Sequence, residues 1–146
     1  MEDRKLEQQV WQRVRPAGEA APGHDLRQLQ REAMELAAAY RALMAQFTGR
    51  QQELARRLYL GEKSNSAVLA GVGSLSGQPA EALKLWQPGK EPVGKLLQRC
   101  YHRTRRCAAE YLARSADGEF GAVFQALSQR EQEHCLLIAE LLGSLG

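Results

Sequence analysis

Apolar residues recur every three or four positions through most of this chain, which is the spacing that places them on one face of an α-helix. The four stretches with this pattern cover residues 25–47, 51–72, 93–115 and 120–142. Short turns follow the first and third stretches, whereas a long segment rich in glycine and proline follows the second. Short, long and short connections between four helices predict a four-helix bundle with one long crossover.

A separate pattern precedes the first long helix. Residues 3–14 have the spacing of a short amphipathic helix. Its apolar side carries Leu6, Val10, Trp11 and Val14. Residues 15–23 contain glycines and prolines that predict a linker. We therefore expect an N-terminal helix and linker at 1–24 and a bundle domain at 25–146. The N-terminal helix either docks on the bundle or pairs with another copy, and it offers a surface for a protein partner.

Composition supports an all-α protein. Alanine and leucine are common, and the runs of β-branched and aromatic residues that favour strands are absent. The formal net charge is +3 and is spread along the helices, so we expect no nucleic-acid partner. No apolar run approaches the ~20 residues that span a bilayer, so we also expect no membrane association and a cytoplasmic location.

Polar residues interrupt the inner apolar stripes of the second and fourth predicted helices. Glu62 and Asn65 interrupt the second helix, and Glu131 and His134 interrupt the fourth. Residues three apart lie on the same face of a helix. A glutamate and a histidine at this spacing on an inward stripe are how helical bundles build carboxylate-bridged di-iron or di-manganese sites.

The two halves of the chain match each other at a constant offset within each pair of helices. In the first helix of each half, Leu29, Ala33, Leu36 and Tyr40 correspond in order to Cys100, Thr104, Cys107 and Tyr111. In the second, Gly49, Leu54, Leu58, Glu62, Asn65 and Leu69 correspond to Gly118, Val123, Leu127, Glu131, His134 and Ile138. The correspondence predicts a duplicated helical hairpin.

With these residues the chain resembles a rubrerythrin-related member of the ferritin-like superfamily over roughly residues 25–142. The residues that carry the resemblance are Glu62-x-x-Asn65, Glu131-x-x-His134, Tyr40 and Tyr111. It implies a ferritin-like four-helix bundle, a homodimer, and handling of iron or peroxide at a di-metal centre. In that family each hairpin supplies one glutamate from its first helix and a Glu-x-x-His pair from its second.

This chain keeps only half of the ligands that the resemblance implies. The matching ligands are Glu62, Glu131 and His134. Asn65 replaces the other histidine, and Ala33 and Thr104 stand where the first-helix glutamates belong, seven residues before Tyr40 and Tyr111. The two tyrosines would then support the remaining ligands. The resemblance therefore leaves open whether the protein is an enzyme.

Three ligands suffice for one ion, completed by water or Asn65. Fe, Mn or Zn would suit such a mixed nitrogen and oxygen set. A second ion would need a rescuing neighbour, for which the candidates are Glu32, Glu35, Cys100 and Cys107. The alternative is a metal-free hydrogen-bonded cluster with His134 protonated between the carboxylates, inside a bundle that serves protein interaction or self-assembly.

Overall fold

The computed structural model describes residues 25–77, 89–116 and 118–145. The described residues form four α-helices, namely α1 (Leu26–Gln46), α2 (Gly49–Leu75), α3 (Val93–Arg114) and α4 (Gly121–Ser144), with a 3-10 helix at Gly118–Phe120. No strand occurs in these three ranges. The prediction of an all-α helical bundle is confirmed, whereas the predicted N-terminal helix and most of the crossover lie outside the described residues.

The start of α1 is fixed by its own side chains. The Asp25 carboxylate accepts a hydrogen bond from the Gln28 backbone N–H at 2.9 Å, and the Gln28 side chain accepts one from the Asp25 N–H at 2.9 Å. This capping box satisfies two backbone donors that the first turn leaves free, and such a cap contributes about 0.5–2 kcal/mol.

The turn between α1 and α2 is shorter than the sequence pattern indicates. Gly49 adopts a φ of +58°, a left-handed conformation that glycine reaches without steric penalty, and it is already the first residue of α2. The second helix therefore begins two residues before Gln51, where the prediction placed its start, and it continues beyond Val72 to Leu75.

The helices pack as two hairpins, α1 with α2 and α3 with α4, which meet along α1–α3 and α2–α4. Helices α2 and α4 run antiparallel. Arg50 at the start of α2 pairs with Glu140 near the end of α4 at 3.3 Å, and Asn65 further along α2 bonds to Glu131. This antiparallel arrangement brings the middle of α2 level with the middle of α4, which is where both helices carry polar residues.

The predicted inner stripes form the core. Fully buried large side chains include Leu29, Leu36, Leu43, Leu54, Leu58, Leu69, Leu97, Ile138 and Leu141. Burying one such side chain is worth about 1.5–3 kcal/mol. A polar layer interrupts this core, and its members are Glu62, Asn65, Thr104, Ser128, Glu131 and His134. No described helix combines the length and apolar character that crossing a bilayer requires.

Candidate metal centre

Three of the predicted ligands converge in the polar layer. Glu62 on α2 and Glu131 and His134 on α4 each offer a ligand atom, and these atoms all lie within 4.8 Å of one another. His134 Nδ1 is 3.1 Å from Glu62 Oε1 and 3.3 Å from Glu131 Oε1. The three side chains are buried. The group can therefore hold a metal ion with two carboxylates and one imidazole.

Gly61 makes room for the histidine. A Cβ added at Gly61 would lie well inside van der Waals distance of His134 Nε2 and Cε1, so the imidazole packs directly on the α2 backbone. Sequence reasoning missed this residue. The available signal was a glycine in a helix interior one residue before a predicted ligand. Glycine at such a position costs roughly 0.5–1 kcal/mol relative to alanine, and close packing against the backbone is one reason for it.

Asn65 joins the cluster through its amide nitrogen. Its Nδ2 donates to Glu131 Oε1 at 2.8 Å and to Glu62 Oε2 at 3.4 Å. Its Oδ1 accepts a hydrogen bond from Arg130 Nη1 at 2.9 Å. The amide therefore directs positive charge at the two carboxylates, and its oxygen, the atom that could bind a metal, is held by Arg130. Arg130 is a second residue that sequence reasoning missed.

One oxygen of the cluster has no partner. Glu131 Oε2 is buried and makes no hydrogen bond to any described residue. Leaving a buried polar atom unsatisfied costs about 1–3 kcal/mol, and more for a charged group. A cation beside this oxygen would satisfy it, and the neighbouring Glu62 carboxylate and His134 imidazole supply the remaining donors. The donor set present therefore fits one ion.

The surroundings of Glu62 disfavour the ionised form of its carboxyl group. Burial raises the pKa of Glu62 well above its usual range, and the charge of Glu131 and a hydrogen bond to Glu131 raise it further. The Asn65 hydrogen bond acts in the opposite direction. These effects favour the protonated form of Glu62 when no ion is bound. A metal ion would displace this proton, because a carboxylate ligand must be ionised.

The raised pKa of Glu62 predicts a pH dependence of stability. A carboxyl whose folded-state pKa lies above its unfolded value of 4.5 binds more protons in the folded state between the two values. The free energy of unfolding of the metal-free protein should therefore fall as pH rises from about 4.5 towards the raised folded-state pKa. Glu62→Gln should flatten this slope and stabilise the metal-free protein at the upper end of this range by roughly 1–3 kcal/mol.

Urea unfolding in the presence of chelator, repeated across this pH range, measures the effect. The matched control is Glu53→Gln, because Glu53 is an exposed residue of the same helix. The control should keep the slope of the unmodified protein. A Glu62→Gln variant with an unchanged slope would show that Glu62 is ionised in the folded state throughout.

Tyr40 lies near the cluster and forms a hydrogen bond with Thr104, which stands where the resemblance implies a glutamate ligand. Its hydroxyl is 3.0 Å from Thr104 Oγ1, and both side chains are buried. Burial raises the Tyr40 pKa, and the charges of Cys100, Glu62 and Glu131 add to the effect. Tyr111 stacks on Phe124 with ring centroids 6.5 Å apart. Thr104 thus serves as a hydrogen-bond partner in the core.

Glu32 and Glu35 lie in a different cluster. Arg103 on α3 bonds to Glu32 through Nε at 2.9 Å and to Glu35 through Nη2 at 2.7 Å. Arg106 Nη2 lies 3.4 Å from Glu32 Oε1. Because both glutamates are rotated off the inner stripe of α1, they face these arginines. Neither belongs to the group of converging ligand atoms among the described residues, so the structure does not bring them to a second ion.

The cysteines are poorly suited to rescue a second ion. Cys100 and Cys107 are buried free thiols. Burial is the main cause that raises the pKa of Cys100 to about 12 and the pKa of Cys107 well above its usual range. The thiolate is the form that binds metal, and here it is strongly disfavoured.

Fold and site together define a helical bundle with a buried Glu/Glu/His group. No family model, curated protein or solved structure matches the chain. The resemblance to rubrerythrins and ferritin-like proteins stays a prediction.

Proposed function

We propose that this protein binds one divalent transition-metal ion per chain through Glu62, Glu131 and His134. The main support for this proposal is that Glu131 Oε2 is buried and has no hydrogen-bond partner among the described residues. This oxygen lies in a group that also contains the Glu62 carboxylate and the His134 imidazole. A folded chain tolerates such an atom at a functional site more readily than in an ordinary core.

The charge of the ligand set supports one ion. Two ionised carboxylates balance one divalent cation, whereas a second cation would add buried charge that nothing nearby offsets. Ala33, Asn65 and Thr104 stand at the implied ligand positions and carry no negative charge. Fe(II), Mn(II) or Zn(II) suits a site of mixed nitrogen and oxygen donors, with water completing the coordination.

We further propose that the bundle is a ferritin-like homodimer with a reduced form of the rubrerythrin centre. An iron ion bound here would supply redox chemistry toward peroxide, the activity that the resemblance implies. The chain's own residues would exclude bulk water and position the imidazole. Peroxide consumption that needs both added Fe(II) and the His134 side chain would support this part of the proposal.

Metal titration tests the proposal. Protein treated with chelator and desalted is offered Fe(II) without oxygen, Mn(II) or Zn(II), and the bound metal is measured by elemental analysis. The expected result is about one ion per chain for at least one of these metals. About two ions per chain would contradict the single-ion site. A folded helical protein that retains none would contradict metal binding altogether.

A second candidate function has one specific observation in its favour. Asn65 donates to both carboxylates, so together with the proton on Glu62 it partly neutralises the cluster without an ion. Buried polar networks of this kind can fix the register of packed helices. The bundle would then act in protein interaction or self-assembly. In that case the free energy of unfolding with each metal added would be the same with and without chelator.

A further inference from the structure

An apolar groove of about 840 Å³ runs along the first hairpin between α1 and α2. Small side chains line it, among them Ala38 and Ala42 from α1 and Ala67 and Ala70 from α2. Ala67 and Ala70 are exposed, and Ala42 is half-buried. Small residues let a third helix approach both backbones closely, as in helix packing at 8–10 Å between axes.

We propose that residues 3–14 of the same chain dock in this groove as a third helix of the hairpin. These residues lie outside the described part of the chain, and their sequence predicts an amphipathic helix. This docking goes beyond the proposed metal binding and does not depend on it.

The length of the groove matches the length of a helix over residues 3–14. A helix over residues 3–14 would be about 18 Å long, and the groove extends along α1 from Gln30 to Ala45, which is about 22 Å at the same rise per residue. Residues 15–24 can span up to about 33 Å, so the connection to Asp25 can reach from either end of the groove.

The charges of the groove and of residues 3–14 also support the docking. The charged residues that line the groove are Arg41 and Lys63, and both are basic. At about 100° per residue, Asp3 and Glu7 fall within the arc of the apolar residues of the predicted helix, whereas Arg4 and Arg13 fall just outside its two edges. The side of the helix that covers the alanines would therefore bring acidic side chains towards Arg41 and Lys63.

Chemical cross-linking of the full-length chain tests the docking. Val10→Cys and Ala38→Cys are introduced in a Cys135→Ala background, since Cys100 and Cys107 are buried and Cys135 is only half-buried. A short bis-maleimide should join positions 10 and 38 within one chain. The matched control pairs Val10→Cys with Ala126→Cys, because Ala126 is an exposed alanine on α4. The control should give no product within one chain.

Gel mobility and peptide mapping separate the outcomes. A cross-link within one chain at position 38, absent at position 126, is the expected result. A product that joins two chains would overturn docking in the same chain and assign the groove to a second copy. Equal products at both positions, or none at position 38, would overturn the proposal as well.

Tryptophan fluorescence provides a second measurement that needs no cross-linker. In a Trp86→Phe background Trp11 is the remaining tryptophan. Ala38→Glu should shift its emission to longer wavelength and increase its quenching by acrylamide, because the added carboxylate blocks the groove and repels Asp3 and Glu7. Ala126→Glu should leave the emission unchanged. Identical spectra for the two variants, each with unchanged helix content, would overturn the docking.

Discussion

Replacing His134 with alanine should abolish tight metal binding. His134 supplies the imidazole of a three-residue ligand set and is buried against both carboxylates. Loss of residues that merely support a ligand commonly costs 10–100-fold in metal affinity, so loss of a ligand should cost at least about 100-fold. Competition against a chromophoric chelator measures this change, with Co(II) as a spectroscopic probe of the ligand field.

The matched control is His102→Ala, because His102 is an exposed histidine on α3. This control should retain the affinity of the unmodified protein. His134→Ala also leaves a cavity and changes the partners of Glu62, so a second variant, Glu131→Gln, removes a ligand while conserving volume. Unchanged affinity in either ligand variant, with helix content retained, would contradict the proposed ligand set.

Replacing Gly61 with alanine should weaken metal binding without changing any ligand. The new methyl group would occupy the position of the His134 imidazole, and the ring would have to rotate away from Glu62 and Glu131. We expect a loss of about 10–100-fold in metal affinity, the range for groups that orient a ligand. Overpacking should lower the free energy of unfolding by about 1–3 kcal/mol, less the gain in helix propensity.

Gly71→Ala is the control for this prediction. Gly71 lies in the same helix, and a Cβ there would meet nothing within 4 Å. That substitution should stabilise the protein by about 0.5–1 kcal/mol through helix propensity and leave metal affinity unchanged. If both variants bind metal equally well, the packing of His134 on Gly61 has no role in the site.

Much of the fold could be predicted from apolar spacing because helical periodicity is a local signal. The inner stripes through Leu36, Leu58 and Leu97 are the buried ones, and Glu131 and His134 face the core because three-residue spacing fixes their common face. The pairing of Glu62 with these two residues followed from the match between the two halves of the chain.

The remaining features of the site depend on contacts between helices that periodicity does not encode. The close approach of His134 to Gly61 depends on the distance between α2 and α4. The orientation of Asn65 depends on Arg130, which lies next to Glu131 but contacts the opposite helix. Glu32 and Glu35 are engaged by Arg103 across α1 and α3, a contact that only the tertiary packing determines.

The chemistry of the cluster explains how one sequence could be stable with and without an ion. Without metal, the Glu62 proton and the Asn65 amide partly neutralise two buried carboxylates, while Glu131 Oε2 remains unsatisfied. With a metal ion bound as proposed, Glu62 would lose its proton and both carboxylates would serve as ligands. Metal affinity should therefore weaken as pH falls, since protons compete for Glu62.

Anomalous X-ray diffraction from crystals of the zinc-loaded protein tests the single-ion site most directly. We expect one anomalous peak per chain within about 2.0–2.2 Å of a Glu62 oxygen, a Glu131 oxygen and a His134 nitrogen. A peak elsewhere, a second peak in the polar layer, or an undisturbed Asn65–Glu131–His134 cluster without a peak would contradict it.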